Sequence, residues 1–417
     1  MSMIRIAIVG CGRILNAHLQ GYKKLREAGI DSFRITALVA RQLDDALMFR
    51  QRGEGPDPRP PVLAPESGDP LAAPHTYLSD FQDDVDVEVY TDYAEMLDGA
   101  PVDAVNDFTT LAIHHRVAEE AFSRDKHLLT QKPLAITVAA AQRMVKGARE
   151  KGLTLGTFEN VRQGKYTRAA GWAVRKGLIG EPQMAVLGEL GGLWSPDKVV
   201  ADTPWRHRKL LAGGGGTIDI GVHQFHLLRY VFGEVAAVMA LTQTLEPTRY
   251  RRDDSGNVVE AVHVDVDDTH LAIVSLDNDA TAQILWSWGL HGLPAKMQAS
   301  PAFYGSEGCI YGDLLVTDRG TSVPLLEIFD DQVTQAERDA FFPLGLTDPY
   351  AIQQLDWLWA IDQGKDPETS GVEGMMDLAC AFAMLESSTA HRQVTLSEVL
   401  SGEVSAYQDE INAYYGL

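Results

Sequence analysis

Apolar positions along the first 135 residues switch repeatedly between two periods. Residues 4–9 (Ile-Arg-Ile-Ala-Ile-Val) form a nearly continuous apolar, β-branched run, as in a parallel strand buried on both faces. Residues 14–28 then place Leu15, Leu19, Tyr22 and Leu25 at helical spacing, and Gly29 supplies the stop. The alternation recurs, predicting strands at 33–39, 87–90, 102–108 and 127–130 and helices at 43–50, 93–97, 114–124 and 138–151. Repeated strand–helix units of this kind predict a parallel sheet covered by helices. Residues 53–75 interrupt it, opening with Gly-Glu-Gly-Pro-Asp-Pro-Arg-Pro-Pro at 53–61, and read as a surface insertion.

After about residue 150 the texture changes. The runs 184–190, 235–244, 263–276 and 281–288 alternate apolar with polar residues, predicting half-exposed antiparallel strands. Helical patterns at 350–363 and 375–391 close the chain. The expected class is α/β: a doubly wound domain at 1–135, then an α+β domain at 136–417 on an open, mainly antiparallel sheet.

Composition narrows the partners. Basic residues number 36 against 58 acidic, a net charge of −22, so nucleic acid and acidic membrane surfaces are poor partners. The three cysteines, Cys11, Cys309 and Cys380, lie far apart without a C-x-x-C, which argues against a disulfide framework and for a reducing compartment. No secretory signal fits ahead of the first strand, and no apolar run reaches the length of a membrane span. A soluble, cytoplasmic protein is expected.

Four motifs carry candidate chemistry. Gly10-Cys11-Gly12-Arg13-Ile14-Leu15 joins a buried strand to an amphipathic helix, where a dinucleotide fingerprint belongs. Gly10 permits the turn and Gly12 the approach of a pyrophosphate, while Leu15 replaces the third glycine. The second strand ends Leu38-Val39-Ala40-Arg41, without the acid that usually accepts from the ribose 2′-hydroxyl of NAD. Arg41 suits a 2′-phosphate, so NADP is expected over NAD. Lys132, in Gln131-Lys132-Pro133, stands at the carboxyl edge of the sheet, where its ammonium can stabilise an oxyanion. Finally, Gly213-Gly-Gly-Gly216 leads to Asp219 and His223, which as i and i+4 of a continuous helix would share one face. The carboxylate could then orient a proton-transferring imidazole. His226 is assigned to packing, and no metal site is expected.

The order of these motifs, together with Thr109-Thr110-Leu111-Ala112-Ile113-His114, resembles the glucose–fructose oxidoreductase/inositol dehydrogenase (Gfo/Idh/MocA) family. The resemblance implies a Rossmann domain holding a nicotinamide cofactor and a second domain that binds a sugar or polyol. It also implies a homodimer or homotetramer formed through the second sheet. Lys132 matches the family's lysine in Glu-Lys-Pro, and Asp219 and His223 match its aspartate and histidine. Thr109 and His114 match the segment beside the nicotinamide, which puts them with Gly10, Gly12, Arg13, Ile14, Arg41, Gln131 and Lys132 as cofactor residues. Asn160, Arg162, Trp205 and Arg206 resemble segments near the substrate. Two departures stand out: Gln131 for the usual glutamate, and Leu15 for the third glycine.

The expected function is therefore oxidation of a hydroxyl. His223 takes the proton, Lys132 stabilises the oxyanion and Asp219 fixes His223. The alternative is a redox-neutral lyase or glycosidase that oxidises, eliminates and reduces again with a tightly held cofactor. A non-catalytic dinucleotide-binding regulator is disfavoured by the presence of Lys132, Asp219 and His223.

Overall fold

The computed structural model describes all residues except 1, 62, 191–202, 254, 294 and 296–299. The chain divides into two compact units. One comprises Met1–Ala135, Ala141–Gln163 and Asp339–Gly374; the other comprises Ile136–Ala140, Gly164–Arg338 and Met375–Leu417.

The first unit is built on strands β1 (Ile4–Val9), β2 (Phe33–Val39), β3 (Glu88–Tyr90), β4 (Ala104–Asp107), β5 (His127–Gln131) and β6 (Leu155–Phe158). Helices α1 (Leu15–Glu27), α2 (Leu43–Arg50), α3 (Tyr93–Gly99), α4 (His114–Ser123) and α5 (Val138–Lys151) connect them. The strand order is β3-β2-β1-β4-β5-β6 and every pairing is parallel. All seven residues of β2 and five of six in β1 are buried, which explains their mainly apolar runs, interrupted by Arg5, Arg34 and Thr36. The order reverses direction between β1 and β4, the switch point at which ligands of such sheets bind.

Two pieces of this unit lie beyond the 1–135 segment to which the sequence reading confines it. Strand β6 is four residues long and contains a glycine, too short a signal to register. Helix Pro349–Gln363 returns to pack on α1: Gln354 Nε2 donates to the His18 carbonyl at 3.0 Å, and Lys24 pairs with Asp348. The 53–75 insertion contains short 3-10 turns at Pro65–Ser67 and Pro70–Ala72.

The second unit holds α6 (Lys165–Arg175), β7 (Pro182–Leu190), α7 (Lys209–Ala212), α8 (Gly216–Asp219), α9 (Gly221–Val231), β8 (Val235–Gln243), β9 (Thr248–Arg252), β10 (Val258–His263), β11 (Thr269–Leu276) and β12 (Thr281–Ser287). Four short strands follow, β13 (Ala302–Gly305), β14 (Gly308–Tyr311), β15 (Leu314–Thr317) and β16 (Ser322–Pro324), and β17 (Val394–Thr395) comes last. Its main sheet runs β16-β15-β14-β13-β7-β12-β11-β8-β17, antiparallel except for the parallel pair β7–β12. Alternation along β8, β11 and β12 puts one face in the core and leaves the other outward.

The run 263–276, read as one strand, is two. β10 ends at His263 and β11 begins at Thr269 because Asp267 and Asp268 turn away from the ladder to accept backbone hydrogens elsewhere.

Candidate active site

The fingerprint turn follows β1 directly. Gly10 has φ +104, and a Cβ there would sit 2.6 Å from the Phe108 carbonyl carbon and 2.9 Å from the Thr109 nitrogen. Any side chain would thus strike the segment after β4. Around Gly12 the reverse holds: a Cβ would meet nothing within 4 Å, leaving the backbone ahead of α1 open to a diphosphate. Leu15, in place of the third glycine, is wholly buried and fills core space. Arg13 and Arg41 are exposed and Ile14 is half-buried. The tight turn, the open Gly12 and the two arginines fit a dinucleotide.

The carboxyl ends of β4 and β5 are organised by Asp107, which the sequence reading did not single out. Its Oδ1 accepts from the Thr109 N–H at 3.0 Å and the Thr109 hydroxyl at 2.6 Å, while Oδ2 accepts from the Thr130 hydroxyl at 3.0 Å. The Asp-x-Thr spacing of an Asx turn was the available signal. His114, expected beside the cofactor, is buried. Its ring nitrogens lie 3.1 Å from the Pro133 carbonyl and 3.2 Å from the Thr109 carbonyl, so it ties the two strand-end segments together.

Gln131 has a physical account. The Lys132 N–H donates to Gln131 Oε1 at 3.1 Å, which fixes the amide's orientation and points Nε2 at His18 Nε2, 2.6 Å away. An amide nitrogen donates, so His18 accepts there and is neutral. Complete burial holds its pKa well below the ordinary histidine value. His18 stacks on Phe108 with ring centroids 3.6 Å apart and meets Phe158 and Tyr350 edge-on. A glutamate at 131 would face His18 with acceptors only, forcing the imidazole to become the donor. Lys132, half-buried, follows directly on this pair.

In the second unit the glycine run is held by a buried carboxylate. Asp267 accepts from the N–H groups of Gly215 and Thr217, each at 2.8 Å, and from the Thr217 hydroxyl at 2.6 Å. Burial pushes the Asp267 pKa up, and these hydrogen bonds oppose the rise. A Cβ on Gly215 would lie 1.6 Å from the Asp267 carbonyl oxygen. Thr217 also meets His270 Nδ1 at 3.3 Å, and His270 Nε2 lies 2.9 Å from Gln224 Oε1. Burial brings the His270 pKa down to about 3.

The helix expected to carry Asp219 and His223 is not continuous. It breaks at Ile220 (φ −104, ψ −37), leaving Asp219 at the end of α8 and His223 in the first turn of α9, with the His223 N–H bonded to the Ile220 carbonyl at 3.0 Å. Gly221 then packs close, its Cβ position 3.0 Å from Met384 Cε. The i and i+4 relation is therefore not that of one regular helix. Asp219 Oδ2 accepts from Arg206 Nε at 3.1 Å, and the Arg206 guanidinium lies 4.3 Å from the Trp205 ring centroid. Trp205–Arg206 and Asp219, two features named separately from sequence, thus form one cluster. His223 is half-buried, whereas His226 is wholly buried against Asp377 (Nδ1 to Oδ2, 2.6 Å), as its assignment to packing anticipates.

Of the remaining candidates, Asn160 is half-buried, its carbonyl accepting from the Gln163 N–H at 3.2 Å. Arg162 is held in an ion pair with Glu373 at 2.9 Å and a longer one with Glu368 at 3.7 Å, an anchoring arrangement within the first unit. Among the described residues no group of His, Cys, Asp or Glu could hold a metal ion, and no helix is long and apolar enough to cross a membrane.

Both parts of the chain have known counterparts. Residues 71–158 match the oxidoreductase family with an NAD-binding Rossmann fold, and residues 167–311 match the Gfo/Idh/MocA C-terminal domain. Myo-inositol 2-dehydrogenase of Thermotoga maritima is 24% identical over 400 residues, 95% of this chain and 100% of that one. 1,5-Anhydro-D-fructose reductase of Ensifer adhaerens is 27% identical over 301 residues, 72% of this chain and 81% of the relative. Levoglucosan dehydrogenase, solved with NADH and levoglucosan, shares the fold with a TM-score of 0.70 at 20% identity, covering 95% of this chain and 100% of that one. The chain belongs to the Gfo/Idh/MocA family of oxidoreductases.

Proposed function

We propose that this Gfo/Idh/MocA oxidoreductase oxidises a hydroxyl of a sugar, polyol or related small molecule with NADP. The observation that carries the reading is the placement of Lys132 directly after β5, in a sheet whose fingerprint turn stands open above Gly12. The sugar and polyol enzymes among its relatives support the substrate class.

A bound nicotinamide dinucleotide would supply the hydride acceptor, held by the Gly10–Gly12 turn, Arg13, Ile14, Arg41 and Thr109. His223 takes the hydroxyl proton as the carbon–hydrogen bond breaks. The Lys132 ammonium stabilises the alkoxide charge, the step at which fixed charge contributes most. Asp219, itself held by Arg206, sets the orientation of His223. Trp205 and Arg206 bind substrate hydroxyls, with Asn160.

NADP is favoured because Ala40 offers no acceptor to a ribose hydroxyl and Arg41 is exposed at the end of β2. Arg41→Ala should weaken NADP by about ten- to a hundredfold, the value of one charge-assisted contact, and spare NAD. Ala40→Asp should reverse the preference. Equal losses for both cofactors would show that Arg41 stacks on adenine.

We assign the protein to the cytoplasm, in keeping with three free cysteines, and to a homodimer or homotetramer built on the outward face of the second sheet. The deciding assay is absorbance at 340 nm with a sugar and polyol panel and each cofactor. A net rise on oxidation is expected; product formed without net change would overturn the dehydrogenase reading.

A further inference from the structure

The 53–75 insertion lies across the dinucleotide-binding end of the first unit. At its start, Gly55 packs so closely on α2 that a Cβ would lie 2.6 Å from the Leu47 carbonyl carbon. Its far end is tied down as well: His75 Nε2 lies 3.0 Å from the Met48 carbonyl, the ring stacks on Phe49, and Gln20 of α1 donates to the Thr76 hydroxyl just beyond. Between these anchors the chain crosses the fingerprint. Arg13 Nη1 donates to the Pro60 carbonyl at 3.3 Å, Arg59 Nη1 donates to the Cys11 carbonyl at 3.5 Å, and Arg59 Nη2 pairs with Asp45 in the first turn of α2.

Arg59 therefore bridges the fingerprint turn and the start of the helix after β2. In this fold the pyrophosphate lies at the first, and the ribose is read at the end of the strand that leads into the second. Resting on the NADP reading above, we propose that Arg59 is a second reader of the 2′-phosphate, delivered by the insertion and parked on Asp45 until the cofactor binds.

The charges make this exchange feasible. The Arg59 and Asp45 side chains are about one-third exposed, at 32% and 39%. Pairs that open to solvent contribute little, so a phosphate dianion can take the guanidinium from one carboxylate at small cost. Arg59 also screens Asp45, which would otherwise repel a 2′-phosphate. Asp45 thus holds the reader in position but opposes the ligand, and its removal should strengthen NADP binding. If Asp45 instead accepted from a ribose hydroxyl, its removal would weaken NAD binding. The two arrangements predict opposite signs.

The test titrates the full-length wild type, Arg59→Ala, Arg59→Lys, Asp45→Asn and Arg41→Ala with NADPH and NADH by fluorescence. 2′,5′-ADP and 5′-AMP serve as competitors that carry or lack the phosphate, and thermal unfolding checks each variant. Arg59→Ala should lose about tenfold or more for NADPH and 2′,5′-ADP while NADH and 5′-AMP stay within about twofold. Arg59→Lys should recover part of the loss, and Asp45→Asn should bind NADPH more tightly. Equal losses for both cofactors, or an unchanged NADPH affinity in Arg59→Ala, would overturn the proposal and leave the insertion as packing. A wild type that prefers NADH, and whose NADH affinity falls in Asp45→Asn, would overturn both the proposal and the NADP reading. A preference for NADPH that vanishes in Arg41→Ala but survives in Arg59→Ala would overturn the proposal alone.

Discussion

The two sheets solve the burial problem differently, and their chemistry follows from the difference. In the parallel sheet of the first unit β1 and β2 are buried almost throughout and read as mainly apolar runs, so the candidate residues stand at strand ends: the fingerprint after β1, Thr109 after β4 and Lys132 after β5. The sheet of the second unit has one outward face. Met239, Leu241, Leu271 and Ile273, on the paired strands β8 and β11, expose large apolar side chains there, with Ile273 at 62%. Isolated exposed apolar residues are ordinary, but a contiguous set marks a contact surface.

The largest effects should come from residues assigned to proton and charge movement in each unit. Lys132→Ala and His223→Ala should each lower turnover by about a hundredfold or more, the scale of a positioned acid–base group. Cofactor affinity in His223→Ala should stay near wild type, because the dinucleotide is assigned to the first unit alone. Near-native turnover in both variants would remove the assignment.

Two glycine replacements sharpen the contrast further. Gly215→Ala drives a Cβ into the Asp267 carbonyl and should cost about 2 kcal/mol or more of stability, read from the unfolding midpoint. Gly12→Ala has open space and should leave stability within about 0.5 kcal/mol while obstructing the diphosphate. Stable, cofactor-binding variants at both positions would contradict both roles.

Acid should soften both units by one mechanism. His18 in the first and His270 in the second are buried neutral, with pKa values well below the ordinary one and about 3, respectively. The folded state disfavours their protonation, so stability is full above about pH 6.5 and falls as the pH drops through the unfolded value. At pH 5 the loss is about 2 kcal/mol for His270, and His18 adds to it in the same direction. Urea midpoints at pH 7 and pH 5 would show it, and a His270→Gln variant should lose part of the slope.

The smallest effect on folding belongs to the outward face. Ile273→Asp should leave the unfolding midpoint of a monomer within about 0.5 kcal/mol, yet shift sedimentation toward smaller species. Unchanged sedimentation would place association elsewhere.

Legibility in the sequence divided along similar lines. β1, β2, α2 and α5 fall at the residues their periodicity indicates, because period and turn chemistry are local properties. The glycine fingerprint and Lys132 were readable for the same reason: each sits at a strand end that its own segment defines. β13 to β16 were not, being strands of three or four residues with no period to detect. The break at Ile220 was also hidden, since the segment from Gly216 onward carries an ordinary helical pattern and Gly221 is placed by close contact with Met384.

The sequence by itself determined the order of local elements, the turn that only glycine permits and the residue types able to move a proton or hold a phosphate. Tertiary structure alone decided which distant groups those residues answer to. Gln131 is explained by His18, 113 positions away, and the glycine run by Asp267, 52 positions from Gly215. Arg59 meets the fingerprint turn because the insertion returns it to Cys11, 48 residues earlier. The physical reason is that a buried donor or acceptor must be satisfied by whatever group the fold brings within about 3 Å, and one-dimensional spacing carries no record of that distance.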